Sequence, residues 1–263
     1  MEGNFSSEPE PEVDYSVINI ASDALDGSTI FHTVNDVVSF LLYMHLQIPS
    51  TVQDMSAEFD TLHSEYKELE LAIGTTAKTS FRRQQVSKMR DIKMGIRRMD
   101  KFMNTLLKVQ TAIKVMISQV PTMEKLVLAL GASPLRPLHI YVLNFSHGAA
   151  RTTDSDDFGR NKLAEGLSRK AIRALISKGA GSVNYPGSPL KLFLLFKAPS
   201  SFNQPLHFLP KRDFRYHKQV VPLKLLVKCR NQVEEVAVPS EDMIWFQCRH
   251  VIKGLAMNTM PDE

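Results

Sequence analysis

The sequence predicts an α+β fold, in which helices cover a mainly antiparallel sheet. Three observations carry that prediction. The first half of the chain repeats apolar residues at three- and four-residue steps, the second half breaks into short β-rich runs, and one helical segment returns between them. At 263 residues with 43% hydrophobic content, the chain can bury one sizeable core. No internal repeat of useful period is visible.

From Thr33, the residues Val34, Val37, Val38, Leu41, Leu42 and His45 mark one face of a helix, and Pro49 stops it. A second, more polar helix runs from about Val52 to Leu71 and gives way to Gly74 and a Thr/Ser/Lys linker. The third is the longest, with Met89, Ile92, Ile96, Met99, Met103, Leu106, Ile113 and Ile117 in one seam broken only at Gln110. A seam of that length is expected to lie across a whole sheet. Beyond Pro121 the pattern becomes β-like: Lys125 to Gly131 and Leu138 to Phe145, either side of a turn with Pro134 and Pro137, form a hairpin. Arg151 to Arg160 is polar and aspartate-rich, which predicts a loop, and Lys162 to Lys178 resumes helical spacing until Gly179-Ala180-Gly181 ends it. Strands follow at Leu190 to Lys197, at Val221, Leu223, Leu225 and Val227 alternating with Lys224 and Lys228, and at Met243 to Ile252. Pro222 puts the second of these at a sheet edge or at its own starting residue.

Charge is balanced overall, 32 Lys and Arg against 28 Asp and Glu, an excess too small to demand a polyanionic partner. It is uneven along the chain. Glu2, Glu8, Glu10, Glu12 and Asp14 come with two prolines and no base in the first fourteen residues. Such a segment cannot bury enough apolar surface to order itself, so residues 1–30 are expected to be a disordered acidic leader and residues 31–263 a single domain. No basic n-region precedes an apolar run, and no apolar stretch approaches the ~20 residues of a membrane span. A soluble intracellular protein is expected. Cys229 and Cys248 are too few and too far apart for a disulfide scaffold or zinc site.

No catalytic constellation survives a physical check, and no cofactor or metal is expected. Asp157-Phe158-Gly159 mimics a magnesium-binding triplet of kinases, but no phosphate loop or catalytic-loop aspartate accompanies it. The eight histidines show no i, i+4 pair on a helix, and His207 and His217 flank a basic loop that predicts solvated side chains. Cys248 lies beside Arg249 and His250, which would lower a thiol pKa, yet a small apolar filler in a strand is the simpler reading. The basic segment from Lys78 to Lys114 holds eleven Lys or Arg against Asp91 and Asp100. Its two readings are a solvated helix face and a track for a phosphate backbone, which makes a nucleic-acid- or chromatin-binding protein the alternative function.

The segment Glu241 to Leu255 carries the only tryptophan of the chain. Chain ends usually fray, but Ile244, Trp245 and Phe246 in strand-like order carry too much apolar surface to leave in water, so this end must be tied into a sheet. The acidic pair, the Ile-Trp-Phe-Gln run and the later Lys253-Gly254 resemble the C-terminal signature of the comet family, HORMA-like adaptors that bind the spindle-checkpoint protein Mad-two. Three weaker matches occur in order along the chain: Leu42 to Pro49 is similar to the family's first core helix running into a proline, Ser168 to Ile176 to its third, and Phe208-Leu209-Pro210-Lys211 to a loop with a Pro-Lys pair.

The resemblance implies a HORMA-like domain, with three core helices on one side of the sheet and a C-terminal strand segment. It implies binding rather than chemistry, hence no enzyme. Comet-family proteins dock on the closed conformer of a HORMA-domain protein and present it to a hexameric AAA+ ATPase of the pachytene-checkpoint type, silencing or recycling the checkpoint complex. The client is either a Mad-two-like protein or a meiotic axis protein. The implied location is nucleus and cytoplasm, at kinetochores or meiotic chromosomes, with no membrane partner and nucleic acid disfavoured. Carried across residue by residue, the partner-binding positions are Met44, Arg169, Ile172, Arg173 and Ile176, and the ATPase-contacting pair is Pro210 and Lys211. Animal members carry phenylalanine at the position of Ile172 and a polar residue at that of Met44.

Overall fold

The computed structural model describes residues 15–22, 24–75, 79–147, 157–181, 189–217, 219–230 and 242–255. In chain order the elements are β1 (Tyr15–Asn19), α1 (Gly27–Met44), α2 (Val52–Thr75), α3 (Thr79–Gln119), β2 (Lys125–Ser133), β3 (Arg136–Ser146), α4 (Asp157–Ser177), β4 (Lys191–Pro199), β5 (Phe208–Lys211), β6 (Leu223–Lys228), β7 (Met243–Cys248) and β8 (Ile252–Lys253). The fold is mixed α+β, with one eight-stranded sheet in the order β1-β6-β3-β2-β4-β7-β5 and β8 added to β4. β6 pairs in parallel with both β1 and β3, and the remaining pairings are antiparallel.

The period of two along each strand sorts side chains between two cores. Leu126, Leu128 and Leu130 of β2, Tyr141 and Leu143 of β3, and Leu194 and Phe196 of β4 face the helices. Val127, Ala129, Ile140, Val142, Phe193 and Leu195 face the other way and pack with Phe214. Burial on both faces is why β2 and β4 read as unbroken apolar runs rather than alternating ones.

α1 is the central helix. Asp26 caps it by accepting the Thr29 N–H at 2.5 Å, and Val34, Val37 and Leu41 are wholly buried. It lies between α4, which covers β1 and β6, and α3, which reaches β8. α2 packs chiefly on α3. α3 spans 41 residues, roughly 60 Å, and the expectation that its seam crosses the sheet is corrected. Only Met99 onward joins the central core, while the upstream half, centred on Ile92, runs beside α2 in a projecting hairpin.

The exits of α1 and α4 share one device. Gln47 N–H bonds the Leu42 carbonyl and Leu46 N–H the Tyr43 carbonyl. Ala180 and Gly179 repeat the pattern on Leu175 and Ile176. Both are Schellman turns, which need a left-handed residue; Gly179 supplies it at φ 84 and Leu46, against its own preference, at φ 54. Gln47 then pins the α1 exit. Its Nε2 donates to the His45 carbonyl and its Oε1 accepts the Leu190 N–H, both at 2.6 Å, and its own carbonyl accepts the Leu255 N–H at 2.8 Å. Gly254 passes so close to Gln47 that a Cβ has no room.

Other expectations shift. Residues 1–14 of the expected leader lie outside the described residues, but 15–30 hold β1 and the first turn of α1, with Ile18, Ile20, Leu25 and Ile30 buried. The alternation of Tyr15 to Asn19 and its parallel register on β6 bury Ile18 on the α4 side and leave Val17 exposed. The predicted loop 151–160 ends early: Asp157-Phe158-Gly159 opens α4, and residues 151–156 lie outside the described set. β6 is interior, with Pro222 just before its first residue. The last predicted strand divides into β7 and β8.

Candidate partner-docking surface

α4 buries Ala164, Leu167, Ser168, Ala171 and Leu175, at helical spacing, and turns the opposite side outward. Arg169 and Arg173 are exposed, Ile176 is 50% exposed and Ile172 is half-buried at the boundary. Arg169 pairs with Glu165 at 2.7 Å, an exposed i, i+4 pair that contributes little to stability. Lys170 Nζ donates to the Asn19 carbonyl at 3.3 Å and fastens the helix to β1.

Met44 is half-buried, and its side chain leaves no room for a Cβ at Gly181, whose φ of 85 favours glycine. The exposed apolar groups at this helix end are Tyr43 at 43% and Leu46 at 44%. Helical periodicity alone does not single out either one, because both fall where the apolar repeat of α1 runs out. The positive φ of Leu46 leaves no mark in the sequence at all.

Beneath this end lies a buried polar cluster. His45 Nε2 bonds the Tyr141 hydroxyl, and the His139 ring stands 4.3 Å from the His45 ring. Burial first, and the neighbouring His139 second, hold His45 down to about 4. Burial likewise lowers His139 and raises Tyr141. With both imidazoles neutral and the phenol protonated, the cluster is a structural hydrogen-bonded unit near neutral pH.

The expectation of a loop at Pro210 and Lys211 is corrected. The two residues end β5, the edge strand, paired with Phe246 and Trp245 of β7. An edge is where a strand tolerates proline. Both are exposed, and with Pro134, Leu135, Arg212 and Phe214 they border a cleft of about 620 Å³. β7 itself sits between β4 and β5, with Ile244 and Phe246 buried in the main core. Trp245 faces the other side, edge-on to Phe214 at 5.4 Å and under the ammonium groups of Lys125 and Lys197.

Burial pushes the Cys248 thiol up to about 11, so it is protonated near neutral pH. His207 is not solvated as expected, since its Nδ1 lies 3.1 Å from His250 Nε2, whose pKa is lowered first by burial. Among the described residues, no three His, Cys, Asp or Glu side chains gather as a metal site would need, and no helix is long and apolar enough to cross a membrane. No known family model matches the chain, and no curated protein matches it in sequence.

Proposed function

We propose that this protein is a non-enzymatic adaptor with a HORMA-like fold, binding the closed conformer of a HORMA-domain protein and presenting it to an AAA+ remodelling ATPase. The observation that carries the reading is the outward side of α4. It keeps Arg169, Arg173 and Ile176 in solvent while its inner side is packed, and Tyr43 and Leu46 are exposed at the end of α1. Apolar knobs flanked by arginines are the composition of an interface centre. Helices confined to one face of the sheet and a terminal segment built into that sheet support the HORMA-like assignment. The exposed Pro210-Lys211 edge is the proposed ATPase contact, remote in sequence from the docking helix. We place the protein in nucleus and cytoplasm, with a checkpoint or a meiotic axis protein as client.

Such an adaptor works by population shift, since only a difference in affinity between two conformers of the client moves their balance. Ile172→Asp puts a charge at the proposed central anchor and is expected to weaken binding of the closed client by roughly 2 kcal/mol, about thirtyfold. Calorimetry with the purified closed client reads this, and unchanged affinity takes Ile172 out of the interface. Co-purification from dividing and from meiotic cells identifies which client is bound.

A further inference from the structure

The projecting half of α3 carries a feature that the adaptor reading does not use. Arg83, Arg90 and Arg97 are spaced by seven residues, two helical turns, and Lys101 lies four further on, so the four align along roughly 27 Å of helix. All four are exposed. The opposite side faces α2, with Ile92 buried; Lys88 pairs with Glu65 at 2.6 Å, and Lys93, on the flank, lies over the Tyr66 ring at 5.9 Å. Those two lysines are therefore committed within the hairpin. Among the described residues, no carboxylate forms an ion pair with Arg83, Arg90, Arg97 or Lys101. Arg97 and Lys101, four residues apart, repel one another along this helix.

We infer that this line of cations is a binding surface for the phosphate backbone of duplex nucleic acid, read without regard to sequence. A rigid line of positive charge is sufficient for counterion release from a duplex. Single strands need aromatic platforms, and Phe81, the exposed ring nearby, lies three turns before Ile92 and so on the α2 side. Met94 is the one large apolar side chain exposed among the four, too little for the centre of a protein interface. The carboxylates of α2, including Asp54, Glu58, Asp60 and Glu68, bar approach from the other side of the hairpin.

Fluorescence anisotropy with a labelled DNA duplex and the full chain tests the assignment. Binding is expected to fall about a hundredfold between ~50 and ~200 mM salt, as about four released counterions dictate. The variant R83Q/R90Q/R97Q/K101Q, made of helix-favouring residues, is expected to bind at least tenfold more weakly with a flattened salt slope, while R169Q/R173Q binds as wild type. Arg90→Glu alone, expected to lose several-fold, serves if the fourfold variant melts. Equal duplex binding by wild type and these α3 variants overturns the inference, as does no duplex binding at low salt. Capture of polyglutamate in preference to the duplex also overturns it, by assigning the cations to an acidic protein.

Discussion

Removing the Gln47 amide would leave the Leu190 N–H and the His45 carbonyl without partners in a site that water does not reach. Gln47→Ala is therefore expected to cost about 2–3 kcal/mol, read as a lower urea midpoint at unchanged slope. His45 makes stability depend on pH. It is held at about 4 in the folded chain against 6.5 when free, so between those values the unfolded chain takes up a proton that the folded chain refuses. Its contribution is intact above pH 6.5 and is lost as pH falls toward 4, by about 3 kcal/mol. A series of urea melts from pH 7 to 4 checks this, and His45→Gln should show a shallower decline. At this scale the sequence is informative about spacing and silent about conformation. The helical step exposes Arg169, Arg173 and Ile176 together, but nothing in the letters says that Leu46 adopts φ 54 or that Met44 is trapped against Gly181.

The α2–α3 hairpin divides α3 into two halves of different stability. Met99 to Val120 share the main core, whereas the upstream half runs beside α2, on which Met55 alone among the described residues is fully buried. Amide hydrogen exchange is expected to be at least tenfold slower over 99–117 than over 56–95, because opening the projecting half disrupts no core layer. Equal protection would mean that the hairpin folds as one unit with the sheet. A single apolar seam in the sequence cannot show this change of partner, since both halves obey the same period. β5 is obscure in the sequence for a related reason: four residues containing a proline carry no pattern of their own, and only the neighbouring β7 makes them a strand. Lys211 is exposed there, so Lys211→Glu is expected to leave client binding and stability unchanged while lowering stimulation of the proposed ATPase partner several-fold by reversing a charge at the proposed contact. Steady-state ATP hydrolysis with client present reads it, and equal stimulation by both proteins removes β5 from that contact.

For the whole molecule, the helix-then-strand order with one returning helix is enough to forecast an α+β architecture, since each period matches one element type. The parallel β1-β6-β3 edge is not legible, because β1 comes after an acidic segment and its pairing with β6 closes over more than 200 residues of chain. The tryptophan-bearing segment reads as a strand because no other arrangement hides it, and it lies in the sheet as β7. With the helical face packed, the outward side of α4 is left over, and the proposed adaptor role rests on it. Titrating the protein against the closed and the open conformer of the same HORMA-domain client, by calorimetry at equal salt, tests that most directly. Binding of the closed form at least a hundredfold tighter, about 2.7 kcal/mol, is the predicted result. Equal affinity for both conformers, or no heat with either, would contradict it.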